Sequence, residues 1–286
     1  MENKLDTFTS TDGKKLFFQH WAPAGRPDLV IALVHGLGEH STRYQDWAAR
    51  FCGESAAFAA FDLRGHGSSE GERGHFSSLE MVFDDIDLFL VKTASLFPNI
   101  PIVLYGHSLG GNLAANYFIQ RKNNISALII TSPWLRLGNP PSGIVKALVN
   151  IASKIFPSFT AASGIDVNNL SRDTSVVDEY RTDLLIHDRI SVNTAKSAIE
   201  AGELAITRAR DATGPVLVMH GQGDKITSPE GSRAFCENAG KNITLKLWDG
   251  FYHELHNEPG KAEVFKHITG WLKKNKLLSA NQQMTG

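Results

Sequence analysis

The sequence predicts an α/β protein: a mostly parallel central sheet, helices on both faces and an inserted helical segment. Three observations predict it. Short continuous apolar runs recur, LVIALV at 29–34, AAFAAF at 56–61, IVLY at 102–105 and VLVMH at 216–220, as expected of strands covered on both faces. Stretches with helical spacing lie between them, and that alternation is the pattern of parallel strands joined by crossover helices. The third observation is a break: 134–210 has Pro140, Pro141 and Pro157, polar turns and helical periodicity, but no convincing buried strand.

In order, 7–10 and 16–21 flank the turn signal Thr11-Asp12-Gly13-Lys14 and read as a hairpin. The run 29–34 is the first buried strand, 43–53 a helix and 56–61 the next strand. A long helix follows at 79–97, with Val82, Ile86, Phe89, Leu90 and Phe97 near helical spacing. The strand 102–105 precedes a helix at 109–120, and 127–131 is a further strand. After the insertion come strands at 216–220 and 244–248, each followed by a helical stretch. The domain reading is a core of 1–133 and 211–276, a helical cap at 134–210, and a loose tail at 277–286.

Composition excludes several classes. The 286 residues suffice for a large core, and α/β folds of this length often form one unit. Charged residues make up 21% and the net charge is −1, which gives no footprint for nucleic acid or an anionic surface. The two cysteines, Cys52 and Cys236, cannot build a disulfide framework and read as reduced, part-buried thiols. The N-terminus lacks an apolar signal-peptide region, and no apolar run approaches the ~18 residues of a spanning helix. The expectation is a soluble cytoplasmic protein. No Cys/His/Asp/Glu cluster has metal-ligand spacing and no dinucleotide or phosphate loop is present, so no metal or cofactor is expected.

The chemistry centres on Gly106-His107-Ser108-Leu109-Gly110, a G-x-S-x-G pentapeptide. It follows a strand and opens a helix, the setting in which its serine projects from a sharp turn. A serine hydroxyl is a weak nucleophile; it needs a base, and the base needs a third group to fix its tautomer. Two later strands supply both in order. VLVMH runs into Gly221-Gln222-Gly223-Asp224, and TLKLW into the loop holding His253. Ser108, Asp224 and His253 thus stand at three strand ends, where catalytic groups of open α/β sheets gather. His256 is the rival base and Asp249 the rival acid. An oxyanion would be met by the amide of Leu109, at a helix N-terminus, and by that of Leu37 in the glycine-rich loop after the first buried strand. His35, His66 and His107 sit in glycine-flanked turns and read as shaping them. Arg64 is a candidate partner for Glu39.

HGLGEHSTRY, FDLRGHGSS, GHSLGG, HGQGDKITSP and YHELHNE together resemble the monoacylglycerol lipase and lysophospholipase branch of the α/β-hydrolases, also grouped as serine aminopeptidase-like hydrolases. The resemblance spans about 8–274. It implies the α/β-hydrolase fold, the triad Ser108, Asp224 and His253, and the oxyanion donors Leu37 and Leu109. It also implies a polar subsite for a glycerol head at Glu39, Arg43 and His256. The segment 180–185 is similar to the family's cap motif, with Leu184 where a proline is common.

The implied activity is hydrolysis of a single-chain lipid ester, foremost monoacylglycerol, through an acyl-enzyme. A lysophospholipase or general carboxylesterase is the alternative, and a non-catalytic ligand-binding protein on this fold the remoter one. Within the cap, 142–156 carries Ile144, Val145, Leu148, Ile151, Ala152 and Ile155 on one helical face. That face either packs on the core or roofs an acyl tunnel above Ser108, with its outer side the expected place for peripheral contact with a membrane or micelle.

Overall fold

The computed structural model describes residues 1–121 and 124–279, the side chain at 146 excepted. Ten strands and eight α-helices are seen among them. They are β1 (Glu2–Thr9), β2 (Lys15–Ala22), β3 (Leu29–Val34), α1 (Gln45–Gly53), β4 (Ala56–Phe61), α2 (Leu79–Leu96), β5 (Ile102–His107), α3 (Leu109–Gln120) and β6 (Ile125–Thr131). There follow α4 (Gly143–Ile155), β7 (Thr160–Ala162), α5 (Thr174–Thr182), β8 (Arg189–Ser191), α6 (Val192–Thr207), β9 (Val216–Gly221), α7 (Pro229–Glu237), β10 (Ile243–Trp248) and α8 (Lys261–Lys274).

Eight strands form one sheet in the order β1-β2-β4-β3-β5-β6-β9-β10. The pairs β1–β2 and β2–β4 are antiparallel, and the rest are parallel. Every residue of β3, β4, β5 and β9 is buried, which is why these strands read as unbroken apolar runs. Two clusters cover the sheet. On one face Trp47 and Phe51 of α1 meet Ile268 and Leu272 of α8. On the other, Val82 and Phe89 of α2, Leu113 of α3, Ala205 of α6 and Phe235 of α7 share a core. Strand order reverses between β3 and β5, so the loops after these strands open a crevice at the sheet's C-terminal edge.

The structure differs from the sequence reading in several places. Strand β1 begins at Glu2, not at position 7, because it is held by main-chain pairing to β2 while its side chains are nearly all exposed. Helix α1 begins at Gln45, since Ser41–Tyr44 form a 3-10 turn. The segment between β6 and β9 holds a small antiparallel ladder of β7 and β8, too short for a periodic signal. Positions 277–279 are not loose: Leu278 is buried and the Ser279 amide donates to Asp28. The rest of the expected tail, 280–286, lies outside the described residues.

The apolar face of α4 also departs from expectation. It neither packs on the core nor roofs the site. Ile144, Leu148 and Ile151 are 75%, 61% and 58% exposed. Helix α4 rests on α6, and its half-buried residues include Val149, Ala152 and Ser153. Cys52 and Cys236 are both free thiols within helices.

Candidate active site

Ser108 lies between β5 and α3 with φ +54° and ψ −118°, in a region non-glycine residues rarely occupy. The flanking glycines make this turn possible. A Cβ on Gly110 would run into the carbonyl oxygens of Val34 and His35, and one on Gly106 into the Gly110 carbonyl. Both ends of the turn are tied: the Ser108 amide donates to the Thr131 carbonyl at 3.1 Å, and its own carbonyl accepts from Trp134 at 2.9 Å.

The loops after β9 and β10 bring the next two groups to the same edge. His253 Nε2 is 3.0 Å from Ser108 Oγ, and its Nδ1 is 2.7 Å from Asp224 Oδ2. Asp224 is an acceptor, so Nδ1 carries the proton and Nε2 is left to accept from the serine hydroxyl. Burial by itself would lower the imidazole's pKa, but the Asp224 carboxylate outweighs it and the pKa stands above the ordinary value. Burial likewise opposes the Asp224 charge, yet His253 and His220 hold that carboxyl far below its usual range. The rivals stand elsewhere: Asp249 is not bonded to His253, and His256 stacks on Tyr44 at 4.5 Å and is pushed down by burial to about 4.

Sequence reasoning missed the shell behind Asp224. Its Oδ1 accepts the amides of Ile226 and Thr227 at 2.8 and 3.1 Å. Its Oδ2 accepts from Thr227 Oγ1 at 2.9 Å and faces His220 Nε2 at 3.1 Å. His220 Nδ1 in turn faces Ser232 Oγ at 2.8 Å. The available signal was small: His220 ends a buried strand four residues before Asp224.

The Leu37 loop lies against the nucleophile. A Cβ on Gly36 would stand 3.1 Å from Ser108 Cβ, so only a bare backbone approaches this closely. Among the described residues, neither the Leu37 nor the Leu109 amide has a partner outside its own element. His35 bridges this loop to the next: Leu63 N donates to its Nε2 at 2.9 Å, and its Nδ1 donates to the Gly36 carbonyl. His66 and His107 bond carbonyls of Arg64 and Thr131, so all three histidines fasten turns.

Glu39, Arg43 and His256 fall unequally around the pocket. The pocket is nearly closed, at about 10 Å³, and is lined by Glu39 but by neither Arg43 nor His256. Glu39 Oε1 accepts the Gly36 amide at 2.6 Å and the Tyr44 hydroxyl at 2.9 Å, and its Oε2 accepts from Arg43 at 2.7 Å. Arg43 also forks onto Glu254 through bonds of 2.7 and 2.8 Å. Burial opposes both charges, but Arg43 holds the Glu39 carboxyl down to about 2 and Glu254 lower still. Arg64, expected beside Glu39, instead binds Asp85 and Asp12, since the Arg43 side chain already fills that place. His256 has no partner for either ring nitrogen among the described residues. The roof over Ser108 comes from Ile165, Leu170 and Tyr180.

Comparison with known proteins adds to this geometry. Residues 25–260 match the Hydrolase_4 family, described as serine aminopeptidase, S33. The chain is 37% identical over 276 residues to an uncharacterized abhydrolase domain-containing protein of Dictyostelium discoideum, covering 96% of this chain but 29% of that one. It is 30% identical to a monoacylglycerol lipase of Mycolicibacterium smegmatis, over 93% of this chain and 95% of the relative. The crystal structure of Paleococcus ferrophilus monoacylglycerol lipase superposes with a TM-score of 0.81 at 32% identity, over 96% of this chain and 100% of the other.

Proposed function

The chain belongs to the Hydrolase_4 family of α/β-hydrolases, in the monoacylglycerol lipase-like branch of carboxylic-ester hydrolases, and from that premise we propose that it cleaves monoacylglycerol to glycerol and fatty acid through an acyl-enzyme on Ser108. The observation that carries this reading is the hydrogen-bonded line from Ser108 Oγ through His253 to Asp224, at 3.0 and 2.7 Å.

In this reading Ser108 Oγ attacks the ester carbonyl while its proton passes to His253 Nε2. The carbonyl oxygen becomes an oxyanion met by the Leu37 and Leu109 amides. Collapse breaks the ester C–O bond, and the imidazolium returns the proton to the departing glycerol oxygen. Water then attacks the acyl-enzyme with His253 again as base, which frees the fatty acid and restores Ser108. Asp224 orients the ring and balances its transient charge.

The segment 134–210 is read as the cap over this site. Small-molecule sites typically hold ~300–1,000 Å³, whereas the closed space beside Ser108 is about 10 Å³, so admitting a lipid ester requires the roof to shift. The exposed apolar face of α4, joined by Phe156 and Phe159, supports peripheral contact with a lipid aggregate. Among the described residues, no helix is long and apolar enough to cross a membrane.

The test is a fluorophosphonate probe with a rate panel. Wild type should be labelled and should turn over monoacylglycerol faster than lysophosphatidylcholine, diacylglycerol or a nitrophenyl ester of equal acyl length. Ser108→Ala should lose labelling and ~10³-fold or more of turnover. Persistent labelling in the variant removes Ser108 as nucleophile. A preference for lysophosphatidylcholine shifts the reading to a lysophospholipase.

A further inference from the structure

Two carboxylates line the pocket beside Ser108, Glu39 and Glu254, and both are almost wholly buried. One guanidinium faces them, and both of its terminal nitrogens are engaged. The Arg43 fork is taken by Glu254, and one of its nitrogens is shared with Glu39. The Tyr180 ring covers the guanidinium face at 4.8 Å, and Arg43 itself does not line the pocket. An incoming anion therefore meets the acids and not the arginine. Near the roof, Arg172 pairs with Glu258 and Arg181 with Asp178, and Lys225 is exposed to solvent and does not line the pocket.

We propose that Glu254 makes the site selective against anionic esters: by clamping Arg43 together with Glu39 it leaves the wall beside Ser108 with excess negative charge, so the alcohol half of the substrate must be neutral and hydroxyl-bearing. This rests on the ester-hydrolase reading above and narrows its substrate class. The hydrogen-bond inventory points the same way. Glu39 accepts three bonds, from Gly36, Tyr44 and Arg43. Glu254 also accepts three, two from Arg43 and one from Asn257. A carboxylate has about four acceptor positions, so each retains room for one donor and offers none. A free hydroxyl can donate into that room. A phosphate brings acceptors and a like charge into a site poor in water, where repulsion is strongest.

The experiment compares kcat/KM for three esters of one short acyl chain: 1-acylglycerol, 1-acylglycerol 3-phosphate and the nitrophenyl ester. Wild type should process the phosphorylated ester at least ~10-fold less well than the plain glycerol ester. Glu254→Gln removes one charge at nearly constant shape and should narrow that ratio by about tenfold, whatever it does to the common rate. Glu39→Gln leaves the Arg43–Glu254 fork in place and should move the ratio in the same direction, which keeps the test open if the first variant does not fold. Comparable wild-type rates on the two glycerol esters overturn the proposal, as does an unchanged ratio in a folded variant. No turnover of any of the three esters overturns the ester-hydrolase reading itself, and the proposal with it.

Discussion

The turn around Ser108 and helix α4 both carry strong sequence patterns, yet they meet opposite fates. At the turn each residue is fixed from several sides. Gly106 and Gly110 touch backbone, Ser108 holds a strained conformation, and its main chain is bonded at both ends. On α4 the apolar side chains at 144, 148 and 151 are each more than half exposed. The difference teaches that close-approach glycines report a contact that must exist, whereas apolar periodicity reports only that a helix has two faces. Which surface receives the apolar face is a separate question.

The contrast breaks most sharply at Gly110. Gly110→Ala places a methyl against the Val34 and His35 carbonyls and should cost about 3 kcal/mol or more. Denaturant titration should show it, together with loss of probe labelling. A folded, active Gly110→Ala enzyme would mean the turn is not over-determined.

Behind the turn, His220→Leu removes one donor to Asp224 and leaves the Ser232 hydroxyl without its acceptor. The expected cost is about 1–3 kcal/mol of stability. Stripped of a competing donor, Asp224 should hold the His253 proton more tightly, so the acid limb of kcat/KM should move to higher pH than in wild type. A stability loss with an unmoved limb would make His220 purely structural.

In wild type that limb should lie above the ordinary histidine value of about 6.5, because the folded pKa of His253 is raised. The stability that this group adds is present below about 6.5 and fades as pH rises through the folded value. His107 and His256 act with the opposite sign. Burial holds them neutral down to about 3 and 4, so the unfolded chain binds protons first and stability falls as pH drops below about 6.5. Glu39 and Glu254 add a second loss below about 4.5. Activity should therefore decline on acidification before melting temperature does. The reverse order would show that unfolding sets the limb.

The smallest effect is expected on α4. Replacing Leu148 and Ile151 by Ser should change stability by ~0.5 kcal/mol or less per site, as for other exposed positions. Liposome sedimentation and long-chain ester turnover should fall while butyrate-ester turnover holds. A clear drop in melting temperature would mean the face is covered in solution.

The sequence by itself determined the sheet, its strand-end loops and the positions of Ser108, Asp224 and His253, because buried parallel strands and tight turns demand particular residues locally. It also placed the Leu37 loop, whose glycine lets backbone reach the nucleophile. Tertiary structure alone decided the pairings that join distant segments. Arg43 meets Glu254 across 211 positions, His220 lies behind Asp224, and Tyr180 caps the guanidinium. None of these leaves a period or a motif, since a charged or aromatic side chain suits many surroundings until the fold selects one. The placement of α4 was undecided for the same reason. Its apolar face was legible, but the roof over Ser108 went to Ile165, Leu170 and Tyr180, which the chain's path through the insertion happens to bring there.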